Sequence, residues 1–231
     1  MNIIDTSNLT KKYGNKIALD NIDLSIGKGK IVGILGPNGS GKTTLIKILV
    51  GLLRPSKGEV LINGNKIGVE TKKIVSYLPD RNFLYSWMKV KDAGKMYSEF
   101  YEDFNQDKFT DLIEFMNLEM EMKVSELSKG MHEKLNLSLV LSREAELYIL
   151  DEPIAGVDPV ARDQILDAII NNYSENSSMI ITTHLVRDME NIFEDVIFLQ
   201  NGTIVLQGNA EELRIEHGNQ IDGIYKEIFG Q

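Results

Sequence analysis

Cysteine is absent from the 231-residue chain, which excludes disulfides, thiol catalysis and cysteine-ligated zinc and leaves the redox compartment open. No internal repeat or low-complexity tract is present, so the composition is that of an ordinary packed domain. Long apolar runs are also missing. Even Leu45 to Leu53 is interrupted by Lys47, so no segment approaches the roughly 18 residues of a membrane-spanning helix. Met1 to Gly14 carries Asp5 and polar residues where a signal peptide needs an apolar stretch. The expectation is a soluble chain that meets a membrane only through a partner. An excess of positive charge is lacking too. The formal net charge of −9 argues against broad nucleic-acid binding, which draws its affinity from a basic face.

Against these absences stands one stretch, Gly36-Pro37-Asn38-Gly39-Ser40-Gly41-Lys42-Thr43. It fits the phosphate-binding pattern G-x-x-x-x-G-K-[ST]. An apolar run, Ile31-Val32-Gly33-Ile34-Leu35, precedes it, and the spacing predicts a helix from Lys42 to Leu53 after it. The chemistry requires these residue types. Glycines let the backbone turn so that successive N–H groups converge on an anion, and the helix start adds its own free N–H groups. Lys42 supplies a mobile point charge for the outer phosphates of a nucleoside triphosphate. The Thr43 hydroxyl suits a Mg2+ ion, and Thr44 belongs to the same binding set.

Taken in order, Ile22, Leu24 and Ile26 alternate with polar residues as in a strand with one buried face. Asn63-Gly64 after Val60-Leu61-Ile62 predicts a hairpin, so the N-terminal part reads as antiparallel β. Tyr13 is either an ordinary packed aromatic or a face on which a base stacks. From about 83 to 142 the pattern turns helical, with Phe109, Leu112, Ile113 and Met116 at helical spacing. Phe83, Leu84, Tyr85, Trp87 and Met88 read equally as core or as a patch for a partner. Strands then alternate with helices: Leu147–Leu150, a helix from Pro159 to Ile170, Met179–Thr183, and a hairpin around Asn201-Gly202. That order implies a parallel sheet with ligands at the carboxyl ends of its strands. One helix closes the chain.

Two more constellations fall at those strand ends. Asp151 is placed to hold Mg2+ beside Thr43, and Glu152 to take a proton from a water attacking the γ-phosphate. By itself such a pair equally caps a helix; beside the phosphate loop the catalytic reading is preferred. His184 ends the next strand and suits a hydrogen bond to the γ-phosphate or that water. His132 and His217, in polar helical surroundings, read as surface residues.

Further motifs carry a resemblance. Leu127-Ser128-Lys129-Gly130-Met131 resembles the L-S-G-G-Q signature of ABC-type ATPases. Ala155-Gly156-Val157-Asp158 resembles the family's D-loop, Thr183-His184 its switch histidine, Tyr13 its adenine-stacking aromatic, and Tyr77-Leu78-Pro79-Asp80 its Q-loop with Asp80 in place of glutamine. The similarity runs from Leu9 to Gly208. It implies an α/β P-loop NTPase of ABC type, 1–231 as a single ATP-binding domain. That domain would comprise a RecA-like core, an N-terminal antiparallel β region and an inserted helical subdomain at about 83–142.

It also implies a head-to-tail dimer, with itself or a related chain, in which ATP and Mg2+ lie between one phosphate loop and the other chain's Ser128 and Gly130. The catalytic residues would be Lys42, Glu152 and His184, and the metal ligands Thr43, Asp80 and Asp151. The implied role is the ATP-hydrolysing subunit of a bacterial ABC transporter, of an exporter-like kind, cytoplasmic and held at the membrane by an integral membrane subunit. The rival expectations are a soluble ABC ATPase of cofactor assembly and a non-hydrolysing ATP sensor. The sensor is suggested by Lys129 and Met131, which depart from the signature, and by Asp80.

Overall fold

A computed structural model describes residues 2–174 and 176–230. In chain order the elements begin with β1 (Asn2–Tyr13), β2 (Lys16–Gly27), β3 (Ile31–Leu35), α1 (Lys42–Leu49), β4 (Lys57–Ile62), β5 (Asn65–Lys66), α2 (Val69–Ile74) and β6 (Val75–Leu78). Three helices follow: α3 (Val90–Phe100), α4 (Gln106–Phe115) and α5 (Lys129–Leu141). The chain continues with β7 (Leu147–Asp151), α6 (Pro159–Asn172), β8 (Ser178–Thr183), α7 (Val186–Met189), β9 (Asp195–Gln200) and β10 (Thr203–Asn209). It closes with α8 (Ala210–His217) and α9 (Ile221–Phe229).

Two sheets form. The first is antiparallel, in the order β2-β1-β4-β5, and the Asn63-Gly64 turn joins its last pair. The second runs β10-β9-β3-β8-β7-β6. Five of its strands are parallel and β10 is an antiparallel edge. Alternation sorts its residues between two cores. Val32, Ile34, Ile149, Ile180 and Leu199 pack with α1 against the first sheet. Ile31, Leu35, Leu150, Ile181 and Phe198 face the helical side with residues of α5 and α6. Burial on both faces is why these strands read as unbroken apolar runs. Gly33 breaks the run because a Cβ there would meet the Phe193 ring at 2.9 Å.

The order of the strands places the site. β3 lies beside β8, and β8 beside β7, with Leu35 opposite Thr183 and Asp151 opposite Thr182. The carboxyl ends of three neighbouring strands therefore deliver Gly36, Glu152 and His184 to one edge.

Three local expectations are corrected. Helix α1 stops at Leu49, not Leu53, because the chain turns through Gly51 at φ +74°. Two helices, not one, follow the last hairpin, separated by Gly218 at φ +60°. The helix expected over 159–170 runs on to Asn172. The aromatic cluster divides between its two readings. Leu84 and Met88 are core, whereas Tyr85 and Trp87 are 61% and 68% exposed and stack on each other with ring centroids 5.8 Å apart.

Candidate functional site

The loop between β3 and α1 is shaped by contacts only glycine permits. A Cβ on Gly36 would run into the Leu199 carbonyl oxygen and stand 2.7 Å from Ser40 Oγ. Gly41, at φ +115°, is the residue that opens α1, and a Cβ there would sit 2.7 Å from the Ala18 carbonyl oxygen. The loop closes on itself through Ser40 N donating to the Pro37 carbonyl at 3.2 Å. It is also tied from outside: Gly202 N donates to the Ser40 carbonyl at 2.8 Å. The Asn201-Gly202 turn, legible in sequence as a hairpin, is thus also the back wall of the phosphate loop.

Lys42 is buried. Its Nζ donates to the carbonyls of Gly36 at 2.7 Å and Pro37 at 3.4 Å, and lies 3.5 Å from Glu152 Oε1. The other Glu152 oxygen, Oε2, is 2.8 Å from His184 Nδ1 and accepts from the His184 backbone N–H at 3.3 Å. Glu152 holds this place at φ +55°, a backbone state costly for a residue with a side chain and concentrated at functional sites. Its own N–H donates to the Thr182 carbonyl at 3.0 Å and Thr182 Oγ1 at 3.2 Å. The three residues expected to be catalytic therefore form one contiguous set. Thr182, which orders Glu152 from the adjacent strand, carried no signal of its own in the sequence.

Asp151 is 1% exposed. Burial pushes its carboxyl above the usual carboxylate range, with the Thr182 hydrogen bond opposing, the charges of Asp80 and Glu152 adding, and the Thr43 hydroxyl opposing. Its Oδ1 accepts from Thr182 Oγ1 at 2.6 Å, whereas Oδ2 is buried with no hydrogen-bond partner among the described residues. A buried, unpartnered carboxylate oxygen beside a threonine hydroxyl is the donor set a hard divalent cation takes. Asp80 reaches the same neighbourhood by its charge. No group of three acidic or histidine side chains that would hold a metal without other ligands exists among the described residues. The fit is to an ion that also takes oxygens from its substrate.

Lys42, Thr43, Asp80 and Glu152 open onto a cleft of about 600 Å3, whereas Asp151, Thr182 and His184 stand outside its lining. Tyr13, Asn38, Gly39, Gly41, Lys42, Thr43, Thr44, Asp80 and Glu152 line it. Tyr13 stands 49% exposed at the end of β1, with the Lys11 ammonium over its ring at 5.2 Å from the centroid. Gly36, Pro37 and Ser40 support the loop from behind. Lys16, Ala18 and Asn201 also line the cleft; none carries a binding signal in sequence, Asn201 reading only as a turn residue, because strand β2 and the hairpin turn meet there only in three dimensions.

Ser128 and Gly130 contribute nothing to the lining of the cleft. Ser128 caps α5, its hydroxyl accepting from Met131 N at 3.3 Å, and it is exposed. Gly130 packs toward Asp158, which caps α6 by accepting from Ala161 N at 3.0 Å. Lys129 lies with its ammonium over Gly156. His132 is half-buried, not on the surface as expected, with its Nδ1 3.3 Å from Asn82 Nδ2; that burial holds its pKa below the ordinary value. His217 stays near the surface, 3.6 Å from Glu227.

The family model for ABC transporters matches residues 19–155. The ABC transporter ATP-binding protein YxlF of Bacillus subtilis (strain 168) is 30% identical over 92% of this chain and 72% of its own length. The Nod factor export ATP-binding protein I of Mesorhizobium japonicum is 29% identical over 96% of this chain and 68% of its own. A solved ATP-binding subunit of an ABC transporter superposes with a TM-score of 0.88 at 25% identity, covering 97% of this chain and 98% of that one.

Proposed function

Because this chain belongs to the ABC transporter family as one of its ATP-binding subunits, we propose that it hydrolyses ATP at a two-chain interface to drive a separate membrane subunit. The observation that carries this reading is the position of Glu152, held between His184 and Lys42 at the mouth of the phosphate loop. A carboxylate so placed accepts a proton from water arriving at the γ-phosphate, and His184 keeps it aimed. Lys42, already surrounded by loop carbonyls, turns to the phosphates when ATP enters. Tyr13 stacks on the adenine. Thr43 and Asp151, with Asp80 alongside, are the residues that would hold Mg2+, which when bound neutralises charge on the phosphates.

The cleft of one chain leaves the outer phosphate open to a second molecule. The helix beginning after Ser128 offers free backbone N–H groups and the positive end of its dipole. We place it against the γ-phosphate held by another copy or a related chain. Cleavage and phosphate release remove the anion both surfaces share, and the pair opens. The exposed Tyr85–Trp87 stack and the adjoining helices of residues 90–141 form the face for the membrane subunit, because paired aromatics in water are favoured at the centres of interfaces. The chain would then work on the cytoplasmic side of the membrane as one ATP-binding unit, with residues 83–142 as its helical insertion. No nucleic acid has a part in it.

The test has two arms. Purified chain releases phosphate from MgATP, and Lys42→Ala abolishes the release. Chain captured from detergent-solubilised membranes brings a polytopic protein with it. Hydrolysis without such a protein would favour a soluble ATPase. Nucleotide binding without turnover, even with the membrane protein present, would favour a sensor.

A further inference from the structure

We propose that a second cavity, between the C-terminal end of α1 and strand β4, is a binding site for a phosphate-bearing anion. Its volume is about 360 Å3, and Ile48, Leu53, Val60 and Ile67 form apolar parts of its wall. Three cations line it: Arg54, Lys66 and Lys72. Among the described residues, Glu59 is the one carboxylate on the lining, and it is committed to Lys66 at 2.7 Å. Among the described residues, the side chains of Arg54 and Lys72 make no hydrogen bond or ion pair.

Two uncompensated positive charges at one cavity repel each other, and an anion removes that repulsion. The surroundings point the same way. Between Lys47 and Lys73 the chain carries six basic residues against two acidic ones, Glu59 and Glu70, within a molecule of net charge −9. A guanidinium and an ammonium on the wall of one cavity are the donor types that bind the oxygens of a phosphate group.

That group comes either from a lipid headgroup or from a small soluble phosphate compound. Leu52 and Val69, each next in sequence to a lining residue, are 65% and 72% exposed. Cations flanked by exposed aliphatic side chains suit a bilayer surface.

The experiment uses the full chain without nucleotide. Flotation compares vesicles of phosphatidylcholine alone with vesicles that also contain phosphatidylserine. A separate titration with inorganic phosphate follows the backbone amide resonances of Gly51 and Gly58, apart from those of Gly39 and Gly41 in the phosphate loop. Each cation near an anionic surface contributes about fivefold, so Arg54→Gln/Lys72→Gln should weaken phosphatidylserine-dependent flotation about 25-fold. If the source is soluble, the same variant loses the phosphate-induced shifts at Gly51 and Gly58 instead.

Lys28→Gln/Lys226→Gln removes the same net charge from exposed positions outside both the cavity and the nucleotide cleft and should change neither readout. ATP binding by both variants checks their folding and separates failure here from failure at the nucleotide site. The proposal is overturned if wild type shows neither response, if Arg54→Gln/Lys72→Gln binds as wild type does, or if the control variant loses as much.

Discussion

Replacing Glu152 with glutamine keeps the shape of the side chain and removes its charge and basicity. In the structure that carboxylate faces two neighbours, Lys42 at 3.5 Å and His184 Nδ1 at 2.8 Å. At an effective dielectric of about 20 the attraction to Lys42 is about 5 kcal/mol before desolvation. The net loss of stability is much smaller, on the order of 1–2 kcal/mol. It falls below the roughly 3–5 kcal/mol of a stranded buried charge because Lys42 keeps the Gly36 and Pro37 carbonyls.

Catalysis should suffer far more. Loss of a general base costs about 10²–10⁴ in rate, or about 3–5 kcal/mol on the barrier. ATP binding should tighten severalfold, since the carboxylate no longer competes for Lys42 or repels the γ-phosphate. Phosphate release and equilibrium nucleotide binding, measured on the same preparation, test both signs. A variant that binds ATP and still turns over within about tenfold of wild type would remove Glu152 from the role of base.

Further outcomes follow from the same geometry. Gly202→Ala drives a Cβ to 2.7 Å from the Ala18 carbonyl at φ +81° and should cost about 1–3 kcal/mol while raising the KM for ATP through the Ser40 tether. Gly64→Ala, at φ +75° with open space around it, should cost about 1 kcal/mol in thermal unfolding and leave ATP binding unchanged. Asp80→Asn should raise the Mg2+ concentration for half-maximal turnover, and an unchanged Mg2+ profile would detach Asp80 from the metal site. His132 has a folded-state pKa below its unfolded value of about 6.5. Its contribution to stability is therefore complete above that value and is lost as pH falls toward the folded pKa, where protonation also breaks acceptance from Asn82. Denaturation at neutral pH and near pH 5 should show a larger acid loss for wild type than for His132→Gln.

Much of this was legible before any coordinates. The phosphate loop, Asp151-Glu152 and His184 stand at strand ends because the chemistry needs those residue types there. The two-sided burial of the central strands shows as runs with no polar interruption. What stayed hidden depends on distant partners. Leu52 and Leu53 continue an apolar run, so nothing local reveals that Gly51 turns the chain away. Leu84 and Trp87 are equally apolar in sequence, and only packing against α3 and α5 separates a core residue from an exposed one. Thr182 resembles any strand threonine until β7 lies alongside it. Gly202 reads as a hairpin glycine, and its hold on the Ser40 carbonyl spans more than half the chain.

The central proposal, that one chain's phosphate loop and another's Ser128 helix close on a shared triphosphate, has a direct test in a chain with no cysteine of its own. Asn38 and Lys129 are exposed on the two surfaces concerned. With cysteines placed at both in a Glu152→Gln background, a short bifunctional maleimide should join two copies, or this chain and a related one, when MgATP is present and not when it is absent. Crosslinking that ignores nucleotide, or none under any condition with either partner, would contradict the account.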